Sequence, residues 1–146
     1  MTPDRLFELA NAFALLGWLP LFFAPQWKWT TTISVGGVVS LLAATYATLL
    51  FQHIQFESFE DFQKLESLMA LFSSKEAVLV GWVHYLAFDL MTGWFISQDA
   101  LRLGVNKWLV LPCLLCTFMM GPFGLLLFLT LRLFKTKSWF TSSPFS

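Results

Sequence analysis

Residues 109–134 read LVLPCLLCTFMMGPFGLLLFLTLRLF, an apolar run broken by a single charge, Arg132. An α-helix needs about 20 predominantly apolar residues to cross the roughly 30 Å hydrocarbon core of a bilayer, and this run exceeds that length. It predicts a membrane span, and with it a membrane protein. Pro112 suits a first helical turn, where a missing N–H costs little. Pro122 lies in the interior and deprives the Phe118 carbonyl of its usual partner, while Gly121 loosens the helix beside it. A kink is therefore expected near the midplane. Cys113 and Cys116 form a C-x-x-C, but structural zinc takes about four ligands and the chain has only 2 Cys, so packing is the expected role of the pair.

Working outward, three more stretches have the same character: Leu6 to Phe23, Ile33 to Phe51 and Ala77 to Ile96. The whole chain is 57% hydrophobic and 12% charged, whereas soluble domains carry about a quarter of their residues charged. The expected fold is an all-α integral membrane protein, a four-transmembrane-helix bundle forming one domain over residues 1–146. The first stretch lacks the small-residue cleavage site of a signal peptide and is expected to remain as a span.

Between the second and third stretches, SFEDFQKLESLMALFSS places Phe59, Phe62, Leu65, Met69 and Phe72 at three- and four-residue intervals, one apolar helical stripe. Ser58 with Asp61 gives a loose start signal. A short interfacial amphipathic helix is expected over about 58–72, its polar face acidic through Glu57, Glu60, Asp61 and Glu66. Four spans would put both termini and the middle loop on one side, with Arg5, Lys64, Lys75, Arg132, Lys135 and Lys137. Lys28, Arg102 and Lys107 would lie on the other. Because Lys and Arg in short loops resist translocation, both termini are expected to be cytoplasmic, in a bacterial inner membrane or a thylakoid-type membrane. The net charge is zero, and no basic cluster suggests nucleic acid as a partner.

The third stretch contains GWVHYLAFDL, Gly81 to Leu90, with a histidine and an aspartate in apolar surroundings. Counting from Ala77, His84 lies roughly 10 Å deep and Asp89 roughly 18 Å, near the midplane. An aspartate there costs on the order of 3 kcal/mol, and protonation is one escape. On a regular helix the two residues stand about 140° apart and about 7.5 Å along the axis, so contact requires a π-bulge or a cavity flanked from two sides. Depth places Asn11 of the first stretch and Tyr46 of the second near His84, which makes a polar cluster of Asn11, Tyr46 and His84 possible, with Asp89 deeper. Trp82, beside His84, is a candidate pocket wall. Gly81 and Gly93 would each let a neighbour approach closely. No glycine-rich phosphate loop, G-x-S-x-G or H-E-x-x-H is present, and no metal or cofactor is implied by the sequence.

The block LFSSKEAVLVGWVHYLAFDLMTGWFISQDAL resembles the neoxanthin-synthase-like membrane family, related to the plant protein whose loss causes abscisic acid deficiency. Its pattern is occupied by Trp82, His84, Ala87, Asp89 and Leu90, with Asp99 at an acidic position closing the block. LPLFFAPQW and LPCLLCTFMMGPFGLLLFL match more weakly. The resemblance implies xanthophyll metabolism, namely rearrangement of a carotenoid epoxide to an allene, a redox-neutral isomerisation that needs an acid at the epoxide and a base at the polyene. His84 and Asp89 are the catalytic candidates, either one as acid, and Trp82, Asn11 and Tyr46 the substrate-binding candidates. The alternative is a non-catalytic carotenoid- or lipid-binding helper of a membrane enzyme. Either reading takes the lipid bilayer as surroundings and a carotenoid or isoprenoid as ligand; the sequence names no protein partner.

Overall fold

The computed structural model describes residues 2–53 and 63–137. Its elements are all helical: α1 (Pro3–Phe23), a π-helical stretch Thr32–Val39 running into α2 (Ser40–His53), α3 (Leu65–Leu71), α4 (Lys75–Arg102), α5 (Lys107–Met120) and α6 (Pro122–Thr136). Among the described residues three helices are long and apolar enough to cross a membrane: Pro3–Phe23, Thr32–Gln52 and Lys75–Arg102. They occupy the first three expected stretches, and α4 outruns its expected bounds at both ends.

Local chemistry sets the ends of these helices. Pro3 stands in the first turn of α1, and the helix stops where Ala24 precedes Pro25, since a residue before proline is pushed out of the helical region. Ser74 caps α4 by accepting a hydrogen bond from the Ala77 N–H at 3.2 Å. At its other end Gly104 takes φ 60°, and the Val105 and Gly104 N–H groups return to the Ala100 and Leu101 carbonyls at 2.9 and 3.1 Å. That is a Schellman closure, and it turns the chain directly into α5, whose first turn is capped by Asn106.

α4 is the centre of the bundle. α1 runs parallel to it, with Asp4 beside Lys75 and Asn11 bonded to Trp82. The π-stretch and α2 run antiparallel, with Thr31 bonded to Trp94 and Tyr46 beside His84. Lipid is as apolar as leucine, so close packing rather than water exclusion holds such helices together, and small residues mark the closest approaches. Gly93 receives the Trp18 ring, and Gly17 receives Leu90 and Val38. Trp18, Leu90 and Ile96 are fully buried there. The Phe72 ring covers Gly81, where an added Cβ would come within 2.9 Å of it.

The last apolar run departs from expectation. Leu109 to Phe134 is not one kinked helix but two helices folded back on each other. α5 and α6 have 14 and 15 residues, lengths of about 21–22 Å, short of the roughly 30 Å core. Met119, near the end of α5, is reached by Tyr85 in the first half of α4. Arg132 of α6 meets Asp99 near the end of α4, and Lys135 bonds to the Gly104 carbonyl just beyond it. α5 thus runs antiparallel to α4, and α6 returns parallel to it.

The reversal is made by Gly121 at φ 40°, ψ −94°, a backbone region open to glycine and hostile to residues with a Cβ. Pro122 then starts α6, as proline at a first helical position does. The hairpin closes tightly because Gly124 has no side chain: a Cβ there would collide with Thr117 and the Cys113 carbonyl. The described chain begins beside Lys75 at one end of α4 and finishes beyond Lys135, next to Gly104, at the other. Of the expected interfacial helix, residues 58–62 lie outside the described residues, and only α3 appears, with no buried residue.

Candidate functional site

Asp89 is the most costly residue in the bundle and the best enclosed of its candidates. It sits midway along α4 at 7% exposure, packed so closely on the hairpin turn that a Cβ at Gly121 would collide with its Oδ1. Oδ2 is buried and accepts no hydrogen bond. One turn earlier, Tyr85 holds its hydroxyl beside this carboxyl and donates to the Met119 carbonyl at 3.1 Å. That carbonyl is among the last four of α5, which have no partner within their own helix. The carbonyl that Tyr85 reaches is that of Met119, next to the Phe118 carbonyl that Pro122 was expected to free.

One of the expected contacts occurs, Tyr46 beside His84; Asn11 pairs instead with Trp82, on a separate side of α4. Trp82 donates its indole N–H to the Asn11 side chain at 2.9 Å, lies 5.5 Å from Phe7 and stacks on Tyr85 at 5.4 Å. A polar line thus runs from Asn11 through Trp82 and Tyr85 to Asp89. His84 faces elsewhere, 5.3 Å from Tyr46 and 4.5 Å from Phe88 between ring centres, and is exposed. The cluster of Asn11, Tyr46 and His84 is split, because α4 is α-helical from Lys75 to Arg102 and five residues turn a regular helix by about 140°. The π-helical turn that would have joined His84 to Asp89 occurs in residues 32–39 instead.

Sequence reasoning missed two further features. Tyr85 stands four residues before Asp89, the spacing that shares a helix face, and that spacing was the available signal. The other is a buried ion pair, Arg132 to Asp99 at 3.3 Å, with side chains 4% and 9% exposed. The sequence places Arg132 near the end of a fourth span, on the side of the termini, and nothing in it shows that α6 turns back. Among the described residues no group of three or more His, Cys, Asp or Glu could hold a metal ion.

The tip of the hairpin is exposed and apolar: Met119 is 68% exposed, Met120 54% and Phe123 47%, around the buried Gly121. Irregular backbone at membrane depth is tolerated where protein buries it or a cavity lies beside it, and an ionisable residue there is a functional-site candidate by default. The fold and site define a helical membrane protein with a buried carboxyl held at the turn of a helical hairpin. The ABA DEFICIENT 4-like family model matches residues 5–128, and the chain belongs to that family. The match takes in Asp89, Asp99, Gly121 and Pro122 and stops short of Arg132. No curated protein and no solved structure matches the chain.

Proposed function

We propose that the protein is a redox-neutral isomerase of a carotenoid, with a xanthophyll epoxide as substrate class and Asp89 as the acid. The observation that carries the reading is the buried Asp89 carboxyl with an unpartnered oxygen, set against a break in the backbone. Membership of a family named for abscisic acid deficiency supports the pathway. The separation of His84 from Asp89 changes the division of labour, because acid and base must reach the epoxide oxygen and the adjoining polyene carbon at one end of the ligand. In the proposed cycle Asp89 gives its proton to the epoxide oxygen as the carbon–oxygen bond breaks. The resulting carboxylate then takes a proton from the adjacent polyene carbon, forming the allene and restoring the acid. Atoms balance and no electrons are exchanged. Tyr85 steadies the carboxyl, Trp82 and Asn11 flank it, and the exposed methionines at the hairpin tip admit an apolar substrate from the bilayer, adaptable as methionine is. His84 and Tyr46, on another face, are reserved for contact with the rest of a long ligand.

The test is product formation from violaxanthin and a panel of other carotenoids, at matched membrane levels. Asp89→Asn keeps size and a hydrogen-bond donor but has no proton to give, so turnover is expected to fall by at least the ~10²-fold typical of losing a general acid. His84→Gln is expected to retain most of it. Unchanged turnover in Asp89→Asn sinks the acid assignment; bound pigment without turnover in the wild type turns the reading to a carotenoid-binding helper.

The same reading carries a topology. We infer three crossings, by α1, by the π-stretch with α2, and by α4, and a hairpin of α5 and α6 that enters from the far side and returns to it.

A further inference from the structure

Ser97 breaks a pattern. Thr45, Thr48, Thr92, Thr117, Thr130 and Thr136 each donate their hydroxyl to the carbonyl four residues back, the usual way to satisfy a hydroxyl on a membrane helix. The hydroxyl of Ser97, on α4 at 2% exposure, makes no hydrogen bond. It lines a partly open cavity of about 50 Å³ between the end of α1, α4 and the start of α5. The walls include Leu21, Phe22, Leu101, Leu111 and Leu114, and Lys107 also lines it.

Water fits this cavity by size, since one molecule needs roughly 10–15 Å³, but it does not fit by chemistry. A buried water wants two to four polar partners, and apart from Ser97 and Lys107 the walls are apolar side chains. A molecule that is apolar except for one oxygen matches both parts: its chain or ring meets the leucines and its hydroxyl meets Ser97. Small-molecule sites are built this way, mostly apolar with a few placed polar groups.

We propose that this cavity binds the hydroxyl-bearing end of an apolar alcohol of isoprenoid type, drawn from the bilayer, with Ser97 as its hydrogen-bond partner. The site is separate from Asp89, which lies eight residues earlier on α4, about 12 Å along the axis. The inference rests on the reading of this protein as one that handles oxygenated isoprenoids, but it requires no turnover.

The test uses the full chain in lipid nanodiscs with a diazirine-bearing ten-carbon alcohol, adducts being mapped by mass spectrometry. Adducts are expected on Leu101, Leu111 and Leu114. Geraniol should displace them at roughly one-fifth the concentration needed by the hydrocarbon myrcene, the share of one ordinary hydrogen bond. Ser97→Ala should erase that difference while keeping the adducts, and Leu101→Trp should fill the cavity and remove them. Adducts scattered over lipid-facing residues, or equal competition by geraniol and myrcene in the wild type, overturn the proposal. Because cross-linking reads the cavity and carotenoid turnover reads Asp89, a failure of either leaves the other standing.

Discussion

Two acidic residues on α4 are buried, and they are treated differently. Asp99 has a countercharge in Arg132, 3.3 Å away, whereas Asp89 has a tyrosine hydroxyl beside it and an unpartnered oxygen. The first arrangement is structural. Removing one partner of a buried pair strands the other charge and costs about 3–5 kcal/mol, whereas replacing both with apolar residues is often neutral or better. Arg132→Met is therefore expected to lower the unfolding midpoint in detergent strongly, and Asp99→Leu with Arg132→Met to restore most of it. A double variant no more stable than Arg132→Met alone would show that the pair does not hold α6 in place. Asp89 has no such exchange available, and that asymmetry is what supports its proposed role as the acid.

At the scale of elements, the hairpin depends on one backbone conformation. Alanine at φ 40°, ψ −94° would occupy a sparsely populated backbone region at a cost of roughly 1–3 kcal/mol, and at position 121 its Cβ would also collide with the Asp89 carboxyl. Gly121→Ala is expected to lower stability by more than the backbone term alone. In an Asp89→Ala background the penalty should shrink to that term, because residues in contact are not additive. An equal penalty in both backgrounds would mean that the turn and the carboxyl do not touch. This element was also the least legible one. Apolar length and composition locate α1, α2 and α4 well, since a lone span and a lone buried helix obey the same arithmetic. For Leu109 to Phe134 that arithmetic is silent, because one long helix and two short antiparallel ones present the same apolar run. Gly121 and Pro122 signalled a break, and their sequence alone carries no sign of its angle. Asp89 was legible for a simple reason, the cost of a charge at that depth; Tyr85 and the partners of His84 depended on which helix lay on which face.

At the scale of the molecule, the fold redistributes the charges that orient it. With α5 and α6 folded back, the end holding the N-terminus carries Arg5, Lys64 and Lys75 together with the acidic Asp4, Glu8, Glu66 and Glu76. The opposite end carries Lys28, Arg102, Lys107, Lys135 and Lys137, while Arg132 is neutralised inside by Asp99. The basic bias thus reverses relative to a four-span count, in which the C-terminal lysines were added to the N-terminal side. Asp and Glu contribute little to orientation, so the decision falls to lysine and arginine, five against three. The expected topology places the N-terminus outside the cytoplasm and the C-terminus within it. Tags on the two termini, read by membrane-impermeant labelling before and after permeabilisation, should become accessible from opposite faces, the C-terminal one only after permeabilisation. Both tags on one face would require a fourth crossing and a hairpin that opens in the bilayer. Opposite faces with the N-terminus inside would keep the three crossings and refute the charge argument alone. The Asp89 site lies at similar depth in every case, but only the three-crossing fold brings the turn at Gly121 to it, so the tag experiment also bears on whether the carboxyl is enclosed in the membrane-embedded protein.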